Sequence, residues 1–255
     1  MDIFFSSQDP LGLECDILIV CAGKDEGLAW SESAAAVNSA LDGKLAAAAE
    51  LDQFRGKADA TLILPTFGAL PAARVMLAGI GKLDEVTRQS LAKSVGSALR
   101  EARSHGANSV VVAIPDALAA VSPPQALAAS ALAAQLALYR FDTYRGSASS
   151  EERNRTIETV TFVAPGVDDA DGAAALLWAS AVAGGVNLAR DLGTVIENLA
   201  ERYGDRLPPI IVTEGGASFP DEVGVPDAAR IDYLREHIAV AAADPRVQGY
   251  IVWTL

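Results

Sequence analysis

Few side chains in this 255-residue chain carry chemistry of their own, and their spacing narrows that chemistry further. Two histidines and two cysteines are too few and too scattered for a zinc set, which draws four ligands from such groups, so no metal is expected. Cys15 and Cys21 flank and enter the apolar run Ile17–Val20, which reads as a buried strand, and are expected to be reduced core thiols. His105 falls in the last turn of a helix before Gly106, where a cation complements the helix dipole. His237, inside an expected helix Asp232–Ala243, is expected at a surface or interface. Ser33 and Ser218 have no histidine and aspartate in a triad-like arrangement. Gly79 and Gly81 lack the third glycine of a dinucleotide fingerprint, so they read as a strand-end turn and no cofactor is expected. One carboxylate stands apart. Glu214 closes the run Ile210–Thr213 and would stand at the end of a strand. Trp30, Trp178 and Trp253 read as packing residues, Trp253 being the best placed of the three to meet a ligand.

The elements that must position these groups alternate between short β-branched runs and Ala/Leu-rich stretches. Strands are expected at Ile17–Val20, Thr61–Leu64, Val75–Ala78, Val110–Ile114, Thr159–Val163, Ile210–Thr213 and Tyr250–Trp253. Helices are expected at Glu32–Leu41, Asp84–His105 and Pro124–Tyr139. Such alternation predicts an α/β domain with a mixed sheet flanked by helices. From Asp171, a good N-cap, the residues Leu177, Ala181, Leu188, Leu192, Val195, Leu199 and Tyr203 recur at helical spacing up to Gly204. They predict one long helix with a single apolar stripe, roughly 45–50 Å in length, which Gly184 and Gly185 could bend. Pro208 and Pro209 stop it and launch the next strand. The segments after it form a β-α-β unit, too small to bury its own core, which leaves Ile210, Ile211, Ile251, Val252 and Trp253 facing water unless something covers them. The expected division is residues 1–170, an α/β domain; 171–204, a connecting helix; and 205–255, the β-α-β tail.

Composition excludes several partners. The formal charge is −13, with 20 Lys and Arg against 33 Asp and Glu, and no segment has the basic excess that phosphates require. Neither nucleic acid nor an anionic membrane surface is an expected partner. The first residues lack a basic start and a long apolar stretch, and no apolar run approaches about 18 residues. A cytoplasmic location is therefore expected.

Two family resemblances divide the chain. Asp16-Ile-Leu-Ile-Val20, Leu41-Asp-Gly-Lys44, Phe54-Arg-Gly-Lys57, Val75-Met-Leu-Ala-Gly-Ile-Gly-Lys82 and Tyr139-Arg-Phe-Asp-Thr-Tyr-Arg145 resemble the amino-terminal domain of leucyl aminopeptidases. Gly184-Gly-Val-Asn-Leu-Ala-Arg-Asp-Leu192 is similar to the helix that leads into that family's catalytic domain. The resemblance, over residues 1–192, implies a macro-like α/β fold and a role in assembly, not in peptide hydrolysis. Nothing after Leu192 resembles the family's Asn-Thr-Asp-Ala-Glu-Gly metal-ligand segment, so two-zinc hydrolysis is not expected of these residues.

From Glu201 to Leu255 the chain resembles the end of a family 1 β-glucosidase. The resemblance is carried by Arg202-Tyr-Gly204, Pro208-Pro-Ile-Ile-Val-Thr-Glu-Gly-Gly-Ala-Ser-Phe-Pro-Asp-Glu222, Ala229-Arg-Ile-Asp-Tyr-Leu-Arg-Glu-His237 and Gly249-Tyr-Ile-Val-Trp-Thr-Leu255. It implies that the β-α-β unit derives from the seventh and eighth strands of a (β/α)₈ barrel. It also implies that Glu214 corresponds to the nucleophile of a retaining glycosidase acting on a β-glucoside, with Trp253 beside the sugar. The family's Asn after that Glu is Gly215 here, and the sequence ends before the family's sugar-gripping Glu and Trp. Retention requires a second carboxyl group about 5–5.5 Å away. The family's Asn-Glu-Pro acid/base segment does not occur in the sequence, and Asp221, Glu222 and Asp232 are the nearby substitutes. A homo-oligomer, formed through the long helix and tail, is the expected way for the exposed apolar residues to be covered.

Overall fold

In a computed structural model of the chain, the described residues are 1–25, 27–115, 118–139, 156–204, 207–215 and 228–252. They divide into two compact units, Met1–Ala179 and Ser180–Leu255.

The first unit is built on a seven-stranded mixed sheet. Its strands are β1 (Asp2–Ser6), β2 (Ile17–Lys24), β3 (Leu28–Trp30), β4 (Thr61–Pro65), β5 (Arg74–Gly79), β6 (Ser109–Ala113) and β7 (Thr159–Val163). The order is β1-β7-β6-β2-β5-β4, parallel throughout except for β4, and β3 folds back antiparallel on the end of β2. A central parallel strand is covered on both faces, which is why β2 is an unbroken apolar run and not an alternating one. Ile17, Ile19 and Cys21 enter one core with Met76, Val110, Val112, Val160 and Phe162. Leu18, Val20 and Ala22 enter the other with Val75, Leu77 and Val111.

Helices α1 (Glu32–Ala40) and α2 (Lys44–Leu51) cover the second face through Val37, Leu41 and Leu45. Helices α3 (Arg88–Ser104) and α4 (Pro123–Leu138) cover the first through Leu91, Val95, Leu99 and Leu127. Local chemistry fixes where these helices start. The Ser31 hydroxyl accepts the Ala34 N–H at 3.2 Å, and Thr87 and Ser90 close a reciprocal capping box at α3. Asp84 and Glu85, expected within α3, belong to a separate 3₁₀ turn, Leu83–Glu85.

The long helix, α5 (Asp169–Tyr203), is present, but its start and inner face differ from the expectation. Asp168 caps it, its carboxylate accepting the Asp171 N–H at 2.8 Å, so Asp171 lies within the first turn. In the first unit the buried residues of α5 are Gly172, Ala175 and Ala179, while Leu177 is 57% exposed. Further along, Ala183 and Ile196 are buried and Val195 is exposed. Small residues win the inner face because the sheet approaches closely there: a Cβ on Gly172 would lie 2.3 Å from the ring of Phe5.

In the second unit, β8 (Ile210–Gly215) and β9 (Val247–Val252) pair in parallel and are joined through α6 (Ala228–Ala243). Ile211 and Ile251 are exposed, as expected of so small a sheet. Asp244 closes the turn into β9 by accepting the guanidinium and backbone N–H of Arg246, and these hydrogen bonds, the guanidinium's first, hold its carboxyl down at about 2. Among the described residues, no helix is long and apolar enough to cross a membrane.

Candidate functional site

In an open parallel sheet, ligands collect at the carboxyl ends of strands where neighbouring crossovers leave on opposite faces. Here that point is the end of β2. The chain from β2 to β5 passes over the second face through α1 and α2, and the chain from β5 to β6 crosses the first through α3. On its β5 side the end of β2 is covered by the protein's own backbone. Lys24 N–H donates to Gly81 O at 2.8 Å, Gly81 N–H to Gly56 O at 3.0 Å, and Asp59 N–H to Gly79 O at 3.2 Å. Glycine is required because the backbones touch. A Cβ on Gly79 would lie 2.1 Å from Lys57 O, one on Gly56 2.2 Å from Gly23 O, and one on Gly23 2.5 Å from the Leu83 side chain. Gly79 and Gly81 are thus the strand-end turn read from the sequence, and Gly56, with φ of 67°, joins them. Lys93 and Asp59 pin the plug from outside with an ion pair of 2.7 Å.

The other candidates are dispersed. Cys15 and Cys21 are buried free thiols in opposite cores. Burial pushes Cys15 up to about 11, with lesser contributions from its neighbours, and Cys21 up to about 12. Thiolate is the reactive form, so both are expected to resist Ellman's reagent in the native protein at pH 8 and to react together on unfolding. Stoichiometric labelling without denaturant would contradict that burial. His105 caps the end of α3, with Nε2 3.2 Å from Glu101 Oε1, and its carbonyl accepts from Arg74 at 3.2 Å. His237 was expected at a surface or interface; in the second unit it is only 5% exposed, because it shares the inward side of α6 with Ala241. Trp30 packs against the second core as expected, but Trp178 is 37% exposed. Among the described residues, no cluster of His, Cys, Asp and Glu could hold a metal ion.

Glu214 is the penultimate residue of β8, at the strand end predicted for it. Val212 pairs with Tyr250 and Gly215 with Val252, so β8 carries one extra residue across Thr213 and Glu214. Asp232 lies on α6, while Asp221, Glu222, Ser218 and Trp253 lie outside the described residues.

A macro-like α/β domain with its crevice covered on the β5 side, followed by a helix and a β-α-β unit, defines the class of protein. Residues 18–148 match the N-terminal domain of the cytosol aminopeptidase family, and residues 126–255 match glycosyl hydrolase family 1. The chain belongs to the cytosol aminopeptidase family through its N-terminal domain, joined to a partial family 1 glycosyl hydrolase segment. A probable cytosol aminopeptidase of Geobacter sp. (strain M21) is 35% identical over 193 residues, covering 75% of this chain and 38% of the relative. One from Roseiflexus castenholzii is 33% identical over 209 residues, covering 79% and 40%. The chain therefore spans about two fifths of the length of these curated relatives. A tomato leucine aminopeptidase mutant shares the fold, with a TM-score of 0.65 at 17% identity, covering 99% of this chain and 62% of that one. The macro domain of ganglioside induced differentiation associated protein 2 gives 0.51 at 15% identity, covering 69% and 83%.

Proposed function

We propose that this chain is a non-catalytic module of aminopeptidase descent that works in the cytoplasm by assembling with further copies of itself. The observation that carries the reading is the backbone packed over the β2–β5 side of the crevice. The place where this fold would take a small ligand holds Gly23, Gly56 and Gly79 in backbone contact instead. What the first unit offers is a rigid, two-sided core and an outward surface.

A second reading is a retaining β-glucosidase activity with Glu214 as nucleophile and Trp253 at the sugar. It is favoured by the family 1 match over residues 126–255 and by the extra residue beside Glu214. Two strands of an eight-stranded barrel and no identified acid/base weigh against it. The test is hydrolysis of p-nitrophenyl β-glucoside and of leucine p-nitroanilide by the purified chain and by Glu214→Gln. Neither substrate is expected to turn over above the buffer rate with either protein. A β-glucoside rate that drops about a thousandfold or more in Glu214→Gln would replace the assembly reading with the enzymatic one.

A further inference from the structure

The two edges of the first unit's sheet are protected unequally. An edge strand presents unpaired N–H and C=O groups, which proteins usually blunt with proline, lysine or a bulge. At one edge, β4 ends in Pro65 and runs into a loop that the Thr66 hydroxyl fastens to Ala72 O and Ala73 O. At the other edge, β1 has no proline, lysine or bulge: Asp-Ile-Phe-Phe-Ser keeps an unbroken parallel register with β7. Asp2 N–H donates to Glu158 O at 2.7 Å, so Asp2, Phe4 and Ser6 turn their backbone groups toward β7. The alternation leaves the N–H and C=O of Ile3 and Phe5 directed away from the sheet. The side chains at this edge are apolar. Ile3 and Phe5 pack against the first core, and Gly172 of α5 sits on the Phe5 ring. Phe4 falls on the other face, where the second core includes no residue of β1, and it is 50% exposed. Exposed acids stand at both ends of the strand. Asp2 and Glu158 lie at its start, and Asp168, Asp169 and Asp171 lead into Gly172 beside Phe5.

We propose that the outer edge of β1 is a docking site for an extended peptide of another protein, a short apolar run flanked by lysine or arginine. The peptide adds to the sheet as one further strand. Backbone geometry selects a strand, because only an extended chain meets the outward groups of Ile3 and Phe5 in succession. Charge selects the flanks: the five acids favour a basic peptide in a chain of −13. The same acids disfavour a second copy of this chain, which would bring them to the same edge twice. Phe4 selects the middle, since an apolar residue set beside it gains a cross-strand contact on the half-open face. So few hydrogen bonds and one aromatic contact make the complex weak, with a Kd of about 10–100 μM. Binding at this edge needs no second copy, so it stands apart from self-assembly.

Fluorescence anisotropy tests this with the full chain titrated to about 300 μM into the labelled peptide Lys-Lys-Val-Thr-Val-Ile-Val-Lys-Lys. Saturable binding is expected, at least about tenfold weaker when the four lysines are replaced by glutamate. The same peptide N-methylated at every residue between the lysines keeps its charge and apolar side chains but cannot pair, and it is expected not to bind. Phe4→Lys is expected to weaken binding at least about tenfold while keeping the native circular dichroism spectrum, because the side chain is half-exposed. Amide exchange read by NMR locates the site. Without peptide, the Ile3 and Phe5 amides are expected to exchange faster than those of Phe4 and Ser6, and with peptide to become protected. Absence of binding, or binding that survives N-methylation or Phe4→Lys, would overturn the proposal. Protection of Ile3 and Phe5 that rises with protein concentration in the absence of peptide would also overturn it, by giving the edge to a second copy.

Discussion

Gly79→Ala is expected to destabilise the first unit by roughly 3–4 kcal/mol, lowering its melting temperature by about 10 °C. The added methyl would sit 2.1 Å from Lys57 O, and the obstacle is backbone, not a side chain that can swing away. Relief requires the Phe54–Ala58 segment to lift, which breaks the Gly81 to Gly56 hydrogen bond and uncovers the end of β2. Two other glycines calibrate the measurement. Gly12 has nothing within 4 Å of its Cβ position and an ordinary backbone, so Gly12→Ala should change stability by no more than about 0.5 kcal/mol. Gly106 also has open space but a φ of 73°, so Gly106→Ala should cost about 1 kcal/mol through strain alone. Urea unfolding followed by circular dichroism gives all three. Equal midpoints for Gly79→Ala and Gly12→Ala would mean that the plug is not closed as described.

The same close approaches explain what sequence periodicity could and could not reveal. The sheet core was legible because β2, β5, β6 and β7 are short runs dominated by apolar and β-branched residues. β1 was not anticipated: Asp2–Ser6 has no turn signal of its own, and its place beside β7 depends on residues more than 150 positions away. β3 is three residues long, and α2 is an Ala-rich helix of about two turns launched by Gly43 in a left-handed conformation, which alternation does not register. The inner face of α5 was misread for a physical reason. A search for bulky apolar residues finds Leu177, whereas a helix laid tightly on Phe5 needs Gly172, Ala175 and Ala179. The crevice was legible only in part. Gly79 and Gly81 announce a turn, but only the approach of Gly56, across more than twenty residues of chain, shows that the turn is filled. Glu214 drew its proposed role from family resemblance alone; the extra residue beside it on β8 is a pairing property that β8 alone does not encode.

Asp16→Ala is expected to cost about 2 kcal/mol and, more tellingly, to remove a pH dependence. Asp16 ties three strands together where they enter the sheet. Its N–H donates to Ser109 O at 3.1 Å and Ser109 Oγ at 3.0 Å, its carbonyl accepts Arg74 N–H at 3.1 Å, and its carboxylate Oδ2 accepts Asn108 N–H at 2.8 Å and Ser109 N–H at 2.9 Å. Burial by itself pushes this carboxyl upward. The backbone N–H bonds from Ser109 and Asn108, the Ser109 hydroxyl and the charge of Arg74 outweigh it, so the folded pKa lies below the ordinary 3.8. A carboxyl depressed on folding adds stability that is fully present above the unfolded value and is lost as pH falls through the folded one. Wild type should therefore lose stability more steeply than Asp16→Ala as pH is lowered from about 5 toward 2, and the two unfolding curves should converge at the acid end. Asp16→Asn separates charge from geometry. Its amide oxygen still accepts one N–H, so at pH 7 it should fall between wild type and Asp16→Ala, with a pH profile as shallow as that of the alanine variant. The loss is set at the lower end for two charge-assisted hydrogen bonds because the side chain is only half-buried, and water reaches the Asn108 N–H once the carboxylate is gone. Parallel wild-type and Asp16→Ala curves across that pH range would show that the carboxylate contributes packing and not charge. The junction of β2, β5 and β6 would then be held by Ser109 and Arg74 alone.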